Sequence, residues 1–171
     1  GIRHLAEWWA FDSEDYVALS NHREARRFVE ELLAALQSAR RLFAALVPPL
    51  APGADEVSVV RIFATDAEYE AYVGAAQSWS AGLFDASRRE LVIRPSSVSG
   101  RGERMQAAQR TALHEGFHQY LFQATGGLQA SPWFNEGHAT FFEVVDPDAR
   151  RIEIAEHPGH TRVLERLVAE P

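Results

Sequence analysis

Residues 103–143 constrain this chain more than any other stretch. The apolar spacing over 103–124 predicts one long helix, and Gly126-Gly127 end it. Pro132 suits the first turn of a second helix, running to about 145. A glycine pair between two helices reverses the chain, so the second helix returns along the first. The first helix carries His114, Glu115 and His118; the second carries Glu136, His138 and Glu143.

The rest of the chain reads as support for that pair. Alternation over 15–21 predicts a strand. Over 22–47 Phe28, Leu32, Leu36, Phe43 and Leu46 recur at helical spacing, and Pro48-Pro49 stop the helix. That helix is expected to cover a sheet and to carry no chemistry. A second strand is predicted over 57–64. A short helix with Asp66 as N-cap and Tyr69, Tyr72 and Val73 inside then ends near Gly74. The segment 82–95 reads as two short strands about a polar turn, and 96–102 as a connection. Beyond 145 a strand over 151–155 and a terminal helix from about 160 are expected. Strands early and helices late give an α+β class, a small mixed sheet covered by a long helix.

At 171 residues the chain is one domain, 1–171, with room for a real core. It starts at Gly1 and not at methionine, so it reads as processed or trimmed from a longer chain, and its compartment is open, export to the periplasm or beyond included. A formal charge of −7, with 17 arginines and no lysine, offers no basic run for phosphates, so nucleic acid is not expected as a partner. No apolar run approaches a membrane span. The chain has no cysteine, which removes disulfides and thiolate metal ligands.

Histidines four residues apart on a helix share one face, so His114 and His118 can both reach one ion. Composition alone would give an HExxH segment roughly 0.03 times in such a chain, so the motif is read as chemistry. A catalytic zinc takes three protein ligands and leaves one position open. Leu121 and Ala124 stand where an HExxHxxGxxH motif would place glycine and histidine, so the third ligand is expected to be acidic. Glu136 is the best placed and Asp146 the weaker alternative. Glu115, beside the first histidine, suits a general base and not a ligand. Ligating histidines need partners for their outer nitrogens, and Glu143 and Thr140, two turns and one turn past Glu136, are placed to supply them.

HEGFH (114–118) followed by PWFNEGHATFFE (132–143) resembles the gluzincin metallopeptidases, and the second run is similar to the zinc aminopeptidases among them. The connection between the two motifs is one residue shorter here. The order of an early strand, a long helix, an RIF strand (61–63) and a GLFD hairpin (82–85) resembles the small peptidase-MA-like domains of bacteria. The resemblance implies a zincin-like fold, a bound Zn2+ and hydrolysis of a peptide or protein substrate. It implies Glu136 as third zinc ligand, Glu115 as base and then proton donor to the leaving amine, and Glu143 behind a ligand. It also favours a cleft rim in the hairpin, at 90–94, where extended peptide adds as a strand. An ordinary hairpin is the other reading.

Acyl transfer needs a donor for the developing oxyanion. The aminopeptidases place theirs well beyond the third ligand. After Glu136 this chain has no tyrosine, and His157 and His160 are the candidates. The alternative function is therefore a zinc-stabilised, catalytically weak or inactive peptide-binding module of the same fold. A hydrolase of non-peptide amides is a third. His138 is expected to be a spectator, and Trp133 and Phe134 core anchors. Oligomeric state is left open.

Overall fold

A computed structural model describes residues 1–22, 26–50, 56–95, 103–145 and 162. Six strands form one mixed sheet: β1 (Ile2–Leu5), β2 (Trp8–Asp12), β3 (Tyr16–Ser20), β4 (Ser58–Ile62), β5 (Gly82–Asp85) and β6 (Glu90–Ile93). Their order across the sheet is β1-β2-β3-β4-β6-β5. The β3–β4 and β4–β6 pairs are parallel and the other three antiparallel. The four helices among the described residues are α1 (Arg26–Leu46), α2 (Asp66–Val73), α3 (Glu103–Ala124) and α4 (Pro132–Phe142). The class is α+β.

Alternation decides which side of each strand is buried. Tyr16 and Ala18 of β3, Val60 and Ile62 of β4, and Leu91 and Ile93 of β6 face one core. Phe28, Val29, Leu32, Leu36 and Phe43 of α1 pack on it, with Ala112, Phe117 and Tyr120 of α3 and Ala139 and Phe142 of α4. Phe43 meets Phe142 edge-on at 4.5 Å between centroids. Val92, on the opposite side of β6, packs with Phe63 and with Tyr69 of α2 in a second, smaller cluster. The sheet is thus covered by α1 and α3 on one face and partly by α2 on the other.

Several expectations change. The hairpin of β1 and β2 carried no reading, because its two-residue turn offers none of the usual turn residues. Leu5 pairs with Trp8, and Ala6 turns the chain at φ 55°, a value that normally selects glycine or asparagine. Thr65, not Asp66, is the N-cap of α2. Its hydroxyl accepts from the Glu68 N–H, while the Glu68 carboxylate accepts from the Thr65 N–H, a full capping box. Asp66 sits in the first turn, where its charge suits the helix dipole. Helix α4 ends at Phe142, short of Val145.

The 90–94 expectation is overturned. Strand β6 is paired on both sides, with β4 and with β5, so it is interior to the sheet and no peptide can add to it. The edge strand of this hairpin is β5. Positions 151–155, Asp146, His157, His160 and all of the helix expected from 160 except residue 162, which is helical, lie outside the described residues.

Candidate metal centre

Helix α3 carries the site because it is packed on three sides. Its apolar stripe faces α1 and the sheet, and α4 and β5 close on its flanks. The buried Gln119 side chain donates to the carbonyls of Val59 at 3.1 Å and Arg89 at 3.2 Å, fixing α3 to β4 and to the turn before β6. A Cβ on Gly82 would lie 3.0 Å from Thr111 Cγ2 and 3.0 Å from the Val92 carbonyl. A larger residue there would push β5 or Thr111 aside by a few tenths of an ångström, so glycine suits this close approach to α3. The reversal after α3 is made at Gly126 (φ 67°) and Gly127 (φ 84°), a left-handed pair that suits glycine.

Within this frame His114, Glu115 and His118 place one ligand atom each within 4.8 Å of one another. Helix α4 adds Glu136, whose Oε2 lies 3.4 Å from His114 Nε2 and whose Oε1 lies 3.6 Å from His118 Nε2. The same helix and the residue that caps its end reach the outer nitrogens. His114 Nδ1 is 2.5 Å from Glu143 Oε1, and His118 Nδ1 is 2.8 Å from Asn135 Oδ1. In the tautomer that donates from Nδ1 to these oxygens, each Nε2 would be the atom that offers a lone pair to a metal beside Glu136. Thr140 offers the histidines nothing; its carbonyl accepts the Glu143 N–H. Asn135 takes the expected place of Thr140. It was missed, although its position immediately before Glu136 puts it on the same turn.

Glu115 lies in the same cluster, but one of its oxygens is engaged outside it. Its Oε2 accepts the Phe84 N–H of β5 at 2.9 Å. Burial pushes its carboxyl above the ordinary glutamate range, against the pull of His118 and His114. Burial alone would discourage charge on His114, but the Glu143 hydrogen bond and the carboxylates of Glu115, Glu143 and Glu136 outweigh it, and its pKa is raised.

Do these residues fit a metal? Zinc bound at about 2.0–2.2 Å in a tetrahedron sets its ligand atoms about 3.4 Å apart. Each Nε2 has one Glu136 oxygen near that spacing, a different oxygen for each histidine: Oε2 at 3.4 Å from His114 and Oε1 at 3.6 Å from His118. Two imidazole nitrogens and carboxylate oxygens also suit zinc chemically. Glu115 is the other acidic neighbour, but one of its oxygens is already committed to β5.

The remaining site residues fall in different places. His138 is turned along its own helix, 2.8 Å from the Phe134 carbonyl, and stacks on Phe117 at 5.8 Å, as a spectator would. Phe134 packs against the main core, but Trp133 is 75% exposed and only meets Phe134 edge-on, so it is not a core anchor. No helix among the described residues is long and apolar enough to cross a membrane. The chain matches no family model and no curated protein.

Proposed function

We propose that the protein is a zinc-dependent metallopeptidase of zincin-like fold, resembling the gluzincins. His114, His118 and Glu136 would hold the metal. The observation that carries this reading is the approach of one carboxylate, Glu136, to Nε2 of both motif histidines while Glu115 stays bound to β5. Bound zinc would supply a Lewis acid that polarises the substrate carbonyl and acidifies water.

The chain's own groups supply the rest. Glu143 and Asn135 hold the two imidazoles in one tautomer and orientation. Glu115 takes the proton of the attacking water and passes it to the departing amine. The Phe84 N–H keeps the carboxylate from swinging away. Strand β5 pairs only with β6 among the described strands, and the N–H of Phe84 points to the site. The other edge of β5 is already partly used, since α3 packs against it and the Phe84 N–H is taken by Glu115; an extended peptide would add along the groups that remain.

The experiment is turnover of unstructured peptide libraries by the zinc-loaded chain and by Glu115→Gln. Cleavage by the first and not the second is expected. Peptide binding with no cleavage by either would favour the binding module instead.

A further inference from the structure

The loop between α2 and β5, residues 74–81, is tied down by its own polar groups. The Gln77 N–H donates to the Gly74 carbonyl at 3.1 Å. The Gln77 carbonyl accepts from the Ser80 N–H at 3.0 Å and from the Ser80 hydroxyl at 2.8 Å. Ser80 Oγ also lies 2.6 Å from the hydroxyl of the buried Tyr69. Arg94, just past β6, donates to the carbonyls of Ser80 and Ser78 and pairs with Asp66 and Glu70 of α2. The side-chain amide of Gln77 is the exception: among the described residues it has no hydrogen-bond partner.

Gln77 lines a cavity of about 310 Å³ whose walls include Thr111, His114 and Glu115. Its backbone groups are taken by the loop, so the side chain is what it offers to that space. The other N–H groups on side chains of this wall are engaged. The Trp79 indole donates to the Ala76 carbonyl at 3.0 Å, and His114 Nδ1 is held by Glu143. Glu115 and Glu143 are acceptors when ionised, and Thr111 has a hydroxyl but no N–H. Elimination leaves the Gln77 amide as the free side-chain N–H donor beside the motif.

We propose that Gln77 is a catalytic residue, whose amide donates to the carbonyl oxygen of the reacting bond as charge develops there. The inference rests on the peptidase reading and names a donor for it from a loop outside the two motif helices. As the water oxygen bonds to the carbonyl carbon and its proton passes to Glu115, the electron pair of the C=O bond moves onto the oxygen. A neutral amide stabilises that charge by hydrogen bonding and keeps its own proton, so proton transfer stays with Glu115. The loop's hydrogen bonds fix the backbone beneath the donor, and only side-chain rotamers remain to be set. His114 and Glu115 wall the same cavity, so one space joins the donor to the groups that would meet the water and the carbonyl.

The test compares zinc-loaded wild type, Gln77→Ala and Gln77→Glu in peptide turnover and in calorimetry with a phosphinic peptide, whose anionic P–O group mimics the developing charge. Glutamate keeps the length of glutamine and loses the N–H. Gln77 is an exposed turn residue, and zinc content and circular dichroism check that site and fold are kept. Both variants are expected to lose about 10²–10³-fold in kcat with KM little changed. Both should bind the phosphinic peptide about ten- to a hundredfold more weakly. An ordinary peptide should bind equally to Glu115→Gln with and without Gln77→Ala. Wild-type turnover in both variants, or a loss confined to KM or to binding of the ordinary peptide, would overturn the assignment and leave the peptidase reading standing. No cleavage by the wild type, with phosphinic-peptide affinity lost in both variants, would refute the peptidase reading and leave Gln77 as the donor to a bound oxyanion. No cleavage and no change in affinity would overturn both.

Discussion

His118 is addressed at both ring nitrogens by consecutive residues of α4: Asn135 Oδ1 lies 2.8 Å from Nδ1, and Glu136 Oε1 lies 3.6 Å from Nε2. One helical turn thus presents the third acidic group and fixes the imidazole that faces it. Asn135→Ala should leave the three proposed ligands in place but free the ring. Zinc affinity, measured by competition with a chelating dye, should fall about 10–100-fold. Asn135→Asp keeps an acceptor and should recover most of it. An unchanged affinity in the alanine variant would remove Asn135 from the account.

Glu143 gives metal loading a definite pH dependence. It raises the His114 pKa above its ordinary value, where a bound proton competes with the metal. With His114 protonated, zinc affinity should rise about tenfold per pH unit, and it should level off only above the ordinary histidine pKa of about 6.5. Glu143→Gln should move that plateau to lower pH. In the metal-free protein the same shift stabilises the fold fully below pH ~6.5, and that contribution fades as pH rises through the raised pKa. A plateau at the same pH in both proteins would contradict the role given to Glu143.

Glu115→Gln keeps shape and hydrogen-bonding length but cannot take a proton. It should retain zinc and lose at least the roughly 10²–10⁴-fold that a general acid–base group contributes. Loss of the metal instead would make Glu115 a ligand.

Away from the site, Glu90 on the outer face of the sheet accepts two hydrogen bonds from Arg61, each 2.7 Å, and one from Tyr72 at 2.5 Å. Burial works against its charge, but these bonds outweigh burial and hold its pKa below the usual range. Its contribution to stability is therefore complete above the unfolded glutamate pKa of about 4.3 and is lost as pH falls through the depressed folded value. Glu90→Gln leaves the mostly buried Arg61 without its counter-charge. It should cost about 1–3 kcal/mol at neutral pH and flatten the acid limb of stability against pH. Denaturant unfolding between pH 3 and 7 measures both.

How much of this was legible follows from the range of each signal. Helices α3 and α4 were readable because helical spacing, Gly126-Gly127 and Pro132 are local features. His114, Glu115, His118 and Glu136 came from spacing along those helices. The place of β6 was not readable. Its burial runs through Leu91, Val92 and Ile93 without alternation, and nothing local says which strands flank it. The β1–β2 hairpin hid behind the turn at Ala6. Asn135 needed the packing of α4 on α3 to become visible, and Trp133 looked like a core anchor because sequence records hydrophobicity and not orientation.

The central claim is that one zinc sits between His114, His118 and Glu136. A crystal of the zinc-loaded protein with diffraction recorded on both sides of the zinc absorption edge tests it most directly. The account predicts one anomalous peak per chain, about 2.0–2.2 Å from Nε2 of both histidines and from a Glu136 oxygen, with Glu115 not coordinating. A peak ligated by Glu115 in place of Glu136, or no peak between the two histidines, would contradict it.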